Sequence, residues 1–121
     1  MPSSRQQSGR CAEAYVAEEL GRAGWELLAK NLRTPYAEVD LVLREPRGAY
    51  VLVEVKARGT GAWLSGEDQL GAKQRLRLLR AALWIGQQAG QQEPCRLDLA
   101  LVDLIGGFPV SWRRIEDIGI D

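Results

Sequence analysis

Asp40, Glu54 and Lys56 place two carboxylates and an ammonium at the ends of two Val- and Leu-rich segments that a tight turn can fold together. The segments are Glu38-Val39-Asp40-Leu41-Val42-Leu43-Arg44 and Ala49-Tyr50-Val51-Leu52-Val53-Glu54-Val55-Lys56, joined by Glu45-Pro46-Arg47-Gly48. Charges among such apolar neighbours are costly unless they pair with each other or with a metal ion. Pro46-Arg47-Gly48 suits a three-residue hairpin loop, a type I turn closed by glycine in the left-handed region. That loop sets Glu45 opposite Ala49, so Asp40 faces Glu54 and Glu38 faces Lys56. Alternation then puts these four on one face and Val39, Leu41, Val53 and Val55 on the other. Opposed carboxylates with Cβ atoms about 5 Å apart repel, and a divalent cation between them reverses the sign. Mg²⁺ (or Mn²⁺) suits the set, because it takes one or two carboxylates, keeps several waters and accepts a substrate phosphate. Lys56 would orient a metal-bound water or stabilise charge on that phosphate. The competing reading is a set of solvated cross-strand ion pairs.

Elements on either side must hold this hairpin. Ser8 is placed to cap a helix running to about Ala23, with Ala12, Val16, Leu20 and Ala23 on the inner stripe and Gly24 as the stop. Glu13 and Glu19 border opposite edges of that stripe, and periodicity does not choose between them. Trp25 to Lys30 reads as a first strand, followed by an irregular stretch through Pro35. After Lys56, Ala57 to Ala62 forms a small-residue loop carrying Arg58. Ser65 with Asp68 looks like a capping signature, and Gly71 separates a short helical turn from a longer helix over about Ala72 to Ala89.

On that helix Ala72, Leu76, Leu79 and Leu83 are expected to face the core. Lys73, Arg77, Arg80 and Trp84 form a second stripe, and residues 72 to 84 hold four basic side chains and no acidic one. Such a stripe can track a phosphate backbone and stack on a base; it can equally be a solvated face with Trp84 tucked inward. A last core strand follows at Cys95 to Val102, then a turn at Ile105-Gly106-Gly107. Phe108 to Arg114 adds an edge strand, where Pro109 is tolerated. Arg96 and Asp98 share a strand face as a structural pair, and Trp25, Trp63 and Trp112 read as core or interface residues.

Asp, a spacer and then Glu-x-Lys resembles the PD-(D/E)xK nuclease motif, which alone is short. Longer stretches resemble one branch, the YraN-type uncharacterised family of predicted endonucleases, related to archaeal Holliday junction resolvases. They are Gly9-Arg10-Cys11-Ala12-Glu13, Asn31-Leu32-Arg33, Glu38-Val39-Asp40-Leu41, Val53-Glu54-Val55-Lys56-Ala57-Arg58, Lys73-Gln74-Arg75 with Ala81-Ala82, and Cys95-Arg96-Leu97-Asp98, spanning about residues 9 to 104. The resemblance implies a restriction-endonuclease-like three-layer α/β fold, a mixed central sheet flanked by helices in the order α-β-β-β-α-β. It implies that Asp40, Glu54 and the Val55 carbonyl hold the metal, that Lys56 is the catalytic lysine and that Glu13 is an auxiliary acid. Lys73, Arg77, Arg80 and Arg58 are the expected nucleic-acid contacts. DNA, branched or single-stranded, is implied over RNA, and a homodimer follows from relatives that resolve junctions as dimers. One departure is visible: the family usually writes glycine before Glu-x-Asp, and this chain has Ala37, which would be strained at positive φ.

With 121 residues, 45% hydrophobic and 26% charged, one domain over residues 1–121 is expected, its C-terminal edge segment beginning near residue 105. Two cysteines, Cys11 and Cys95, read as reduced thiols. The absence of histidine removes histidine-ligated zinc, histidine general bases and a histidine-activated nucleophile. The N-terminal residues lack the apolar core of a signal peptide and no run has the length of a membrane span, so a cytoplasmic protein is expected. Lys+Arg and Asp+Glu both total 16, so nucleic-acid binding must come from a local patch. Two other functions are consistent with the same residues: a non-catalytic nucleic-acid-binding or assembly module on this fold, and a partner-binding domain whose charged hairpin is merely solvated.

Overall fold

The computed structural model describes residues 4–59 and 70–119, with side chains from residue 9 onward. Trp63, the Ser65 and Asp68 capping signature and residues 60–62 of the expected loop lie outside the described residues, while Ala57, Arg58 and Gly59, expected to begin that loop, belong to a strand. The elements are α1 (Ser4–Arg22), β1 (Glu26–Arg33), β2 (Glu38–Arg44), β3 (Tyr50–Gly59), α2 (Ala72–Gln88), β4 (Arg96–Ile105) and β5 (Phe108–Ile115). The strands form one sheet in the order β1-β2-β3-β4-β5. β3 and β4 run parallel, joined by the α2 crossover, and every other neighbouring pair is antiparallel. This is the expected α/β arrangement with a mixed central sheet, extended by the edge strand β5.

Two buried clusters make three layers. α1 contributes Ala12, Val16 and Leu20 to one face of the sheet, against Leu41, Leu43, Val51, Val53, Ala100 and Val102. α2 contributes Leu78, Ala81, Ala82 and Ile85 to the other, against Leu52, Leu97, Leu99 and Leu101. The α1 stripe is as expected apart from Ala23, which is exposed, while the helix starts at Ser4 and contains Ser8 rather than being capped by it. Gly24, at φ +92°, ends it: the Trp25 N–H donates to the Leu20 carbonyl at 3.0 Å and the Gly24 N–H to that of Gly21 at 3.0 Å. No helix among the described residues is long and apolar enough to cross a membrane.

The core face of α2 differs from the expected one. Leu76 and Leu83 are exposed, as is Ala72, whereas Leu78, Ala81, Ala82, Ile85 and Gly86 are buried. The small residues set the orientation, because a face of Ala and Gly lets the helix backbone approach its neighbours. The Cys95 N–H donates to the Ala82 carbonyl at 3.1 Å, and a Cβ on Gly86 would stand 2.7 Å from the Glu93 carbonyl oxygen. Gly86→Ala is therefore expected to destabilise by about 1–3 kcal/mol through overpacking, although alanine is the better helix former. Urea denaturation with an unchanged slope checks this.

The β2–β3 loop closes as the sequence implies. Gly48 has φ +100°, its N–H donates to the Glu45 carbonyl at 2.8 Å, and the Glu45 N–H donates to the Ala49 carbonyl at 2.9 Å. The ladder then runs Arg44 with Tyr50, Leu43 with Val51, Val42 with Leu52 and Leu41 with Val53. There it ends, so Asp40 with Glu54 and Glu38 with Lys56 are not ladder partners. Both strands continue, β2 pairing with β1 down to Glu38 and β3 pairing with β4 out to Gly59. The two strands thus splay apart at Asp40, whose Oδ2 accepts the Val55 N–H at 2.8 Å in place of a β2 carbonyl. The pleat breaks at the same point: Val39 joins the α2-side cluster and Leu41 the α1-side cluster, where simple alternation put them together.

Ala37 carries no strain. Among the described residues the non-glycine positions with positive φ are Asn31 at 49° and Asp117 at 55°. Thr34 folds the β1–β2 turn instead, its hydroxyl donating to the Ala37 carbonyl at 2.7 Å and accepting the Ala37 N–H at 3.0 Å. β1 is longer than the expected Trp25 to Lys30 and includes Asn31-Leu32-Arg33. Asn31 adopts the left-handed region, which asparagine tolerates better than most residues.

Candidate acidic active site

The gap between β2 and β3 opens into a polar cleft of about 400 Å³ lined by Glu13, Asn31, Glu38, Asp40, Glu54, Val55, Lys56 and Gln74, among others. Five elements converge at the strand-end splay. α1 supplies Glu13, β1 supplies Asn31, β2 supplies Glu38 and Asp40, and β3 supplies Glu54 to Lys56. α2 adds Gln74, four residues before the buried Leu78 on the same helix face. The choice that periodicity leaves open on α1 is thereby made: Glu13 faces the cleft, while Glu19 pairs with Arg22 at 3.3 Å.

Glu54 is 4% exposed, and its two oxygens differ. Oε2 accepts the Gln74 Nε2–H at 2.7 Å, whereas Oε1 is buried without a hydrogen-bond partner among the described residues. Burial, reinforced by the adjoining Asp40 carboxylate and only partly opposed by Lys56, pushes the Glu54 carboxyl up to about 9. Glu13 rises to about 7, chiefly through burial and then through Asp40, against a hydrogen bond from Asn31 that favours its charged form. Lys56 Nζ donates to Gln74 Oε1 at 3.3 Å, so one amide bridges the ammonium and the buried carboxylate.

The second buried carboxylate shows what a purely structural one looks like. Asp98, fully buried, takes Arg96 Nε at 2.9 Å and Nη2 at 3.0 Å, Arg114 Nη1 at 2.9 Å and the Asp117 N–H at 2.9 Å. The Arg114 and Arg96 guanidiniums lie 5.0 and 5.9 Å from the Trp25 ring centroid. Arg96 and Asp98 are the structural pair expected, Trp25 packs against them, and Arg114 is committed there and to Glu116 at 2.9 Å. Asp98 is saturated by donors; Glu54 has an oxygen left over, beside another acceptor.

A cation fits that leftover oxygen. Among the described residues no three carboxylate, cysteine or histidine groups stand together as a metal cage. The donors present, Asp40, Glu54 and the Val55 backbone, suit an ion that keeps several of its waters, as Mg²⁺ does. The other candidates are more dispersed. Lys73, Arg77 and Arg80 lie exposed along α2, with Lys73 next to Gln74, and Arg58 is exposed near the end of β3. Cys11 and Cys95 are free thiols.

Sequence reading missed Gln74 and Asn31 as site residues. Both lay inside matched segments, and the helical spacing of Gln74, Leu78, Ala81 and Ile85 was the available signal, hidden by assigning the core to the leucines.

Comparison with known proteins places the chain. The model for "Uncharacterised protein family UPF0102" matches residues 12–102. A UPF0102 protein of Burkholderia pseudomallei (strain 1106a) is 34% identical over 111 residues, 92% of this chain and 75% of that protein. One of Synechococcus sp. (strain JA-3-3Ab) is 36% identical over 118 residues, 94% of this chain and 88% of that protein. Among solved structures, Pyrococcus furiosus SfsA in complex with Ca²⁺ aligns with a TM-score of 0.46 and 14% identity, covering 86% of this chain and 44% of SfsA. With the family model covering most of its sheet, all of α2 and α1 from Ala12 onward, and relatives matched across most of their length, the chain belongs to uncharacterised protein family UPF0102, the YraN-type family.

Proposed function

We propose that this chain is a metal-dependent endonuclease that hydrolyses phosphodiester bonds in DNA, branched or single-stranded. The observation that carries the reading is the buried Glu54 carboxyl, whose Oε1 receives no donor among the described residues and which stands against Asp40 in a cleft that also holds Glu13 and Lys56. Asp40, Glu54 and the Val55 carbonyl would hold Mg²⁺ or Mn²⁺, which when bound supplies Lewis-acid charge and lowers the pKa of a coordinated water.

The chain's own groups supply the rest. Gln74 holds the Lys56 ammonium beside Glu54, where it can orient the attacking water or stabilise charge on the phosphate. Glu13, near 7, is poised to take a proton from that water or return one to the leaving oxygen at neutral pH. Asp40, which lines the cleft, is fixed through the Val55 N–H that its Oδ2 accepts. DNA as the substrate, and a homodimer as the working form, follow from the resemblance to junction-resolving nucleases.

The test incubates the protein with labelled duplex, single-stranded and four-way-junction DNA in Mg²⁺, Mn²⁺ or chelator. Cutting that needs the metal, and that falls by about a hundredfold or more in Glu54→Ala and Lys56→Ala, is expected. DNA binding that survives in every variant with no cutting in either metal would sink the enzyme in favour of a binding module.

A further inference from the structure

The exposed Leu83 and the half-buried Trp84 of α2 lead to a second, smaller cavity. It encloses about 150 Å³ and is lined by Tyr36, Arg80, Leu83, Trp84 and Gln87. Tyr36, from the β1–β2 turn, is 45% exposed and Leu83 is 44% exposed, beside a half-buried Trp84. Large apolar groups gathered at the surface and rimmed by Arg and Gln mark a binding surface more often than chance exposure does. Its volume admits one flat heterocycle.

The position of the cavity says which heterocycle. Lys73, Arg77, Arg80, Trp84 and Gln87 follow one helical stripe at intervals of three and four residues, and α2 carries no acidic residue from Ala72 to Gln88. The stripe starts beside Gln74, which bonds both Glu54 and Lys56, and ends in the cavity. The ten residue steps from Gln74 to Trp84 span about 15 Å along the helix axis. A polyanion leaving the acidic site along α2 therefore meets Lys73, Arg77 and Arg80 and then two aromatic rings. Phosphates satisfy the first part and a base the second, since every base offers a π-face to Tyr or Trp and an edge to an amide.

We propose that this cavity binds one unpaired nucleobase, a few nucleotides from the scissile phosphate, so that the nuclease acts on DNA with a single-stranded segment beside the cut. The proposal rests on the nuclease reading and adds the substrate class. A base inside a duplex is stacked on both faces and does not enter such a cavity without leaving the stack.

Fluorescence anisotropy in chelator, where no cleavage occurs, separates the two readings. The parent protein is expected to bind a duplex with a short single-stranded extension about tenfold more tightly than a blunt duplex. Tyr36→Ala and Trp84→Ala should each remove most of that preference with little change in salt dependence. Arg77→Ala and Arg80→Ala should weaken both substrates and lower the salt slope. Because Trp84 also packs on the core, a parent-protein arm uses extensions with single abasic positions, one of which should reproduce the loss. Equal affinity for blunt, extended and abasic substrates, or a preference that survives Tyr36→Ala and every abasic position, overturns the base site. Metal-dependent cutting that persists in that case leaves the nuclease reading standing. Failure to bind any DNA, with cutting absent in Mg²⁺ and Mn²⁺ as well, removes both.

Discussion

A Glu54→Gln protein is expected to melt higher than the parent in chelator at pH 7 and above, while metal-dependent cleavage falls at least about a hundredfold. The two effects share one cause. In the folded chain the Glu54 carboxyl is raised from 4.5 to about 9, mainly by burial, so at neutral pH it keeps a proton that the unfolded chain releases. For a raised carboxyl, the stability it contributes is fully present below about 4.5 and is lost as pH climbs toward about 9. An amide has no proton to lose. Its oxygen can accept the Gln74 N–H that Oε2 accepts now, and its N–H can donate to Asp40, giving a partner to the atom that replaces Oε1. The gain should be small near pH 4.5 and reach about 1–3 kcal/mol, or about 3–10 °C, near pH 8. The amide also withdraws an anionic oxygen from the cation, so stability and activity move in opposite directions. Melting curves of both proteins across pH 4.5 to 9 in chelator decide it. A parent protein whose melting temperature is flat over that range, or a variant that melts lower at pH 8, would show that burial does not hold a proton on Glu54.

The parts of this site that local chemistry dictates were legible in the sequence. Pro46 and Gly48 determine the β2–β3 loop, and its register holds from Arg44 with Tyr50 to Leu41 with Val53. Extrapolating the register two pairs further failed, because Asp40 captures the Val55 N–H and the strands separate. No alternation rule contains that splay, which arises when a side chain replaces a backbone partner. The core face of α2 failed for a different reason. Leucine is a better guide to burial than alanine only when helix and sheet stand at ordinary distance, and the contacts at Ala82 and Gly86 bring the helix close to the chain that follows it. The same rotation turns Gln74 toward Glu54 and Leu83 outward to the second cavity. One misjudged face thus concealed a residue of the acidic site and the apolar part of the proposed base site.

Divalent-cation affinity is expected to rise with pH, by up to about tenfold per unit for each proton displaced, across roughly pH 6 to 9. To hold a cation the carboxyls must shed their protons, and the two raised groups do so at different points, Glu13 near 7 and Glu54 near 9. Below about pH 7 both protons must be displaced and the rise is steepest; between about 7 and 9 only the Glu54 proton remains, and above 9 the rise levels off. Glu13→Gln is expected to lower the slope below about pH 7 by up to one proton and to leave the Glu54 part up to about pH 9, because Asp40 remains against Glu54. Asp40→Asn should act differently. It removes a cation ligand and relieves both neighbours of a negative charge, so it lowers affinity at every pH and also weakens the slope. Titrating Mn²⁺ by calorimetry in two buffers of different ionisation enthalpy measures the protons released directly. Release of less than about a tenth of a proton at pH 7.5, with affinity independent of pH, would mean that the cation does not use the Glu54–Asp40 pair. Cleavage found under those conditions would then have to come from a different set of ligands.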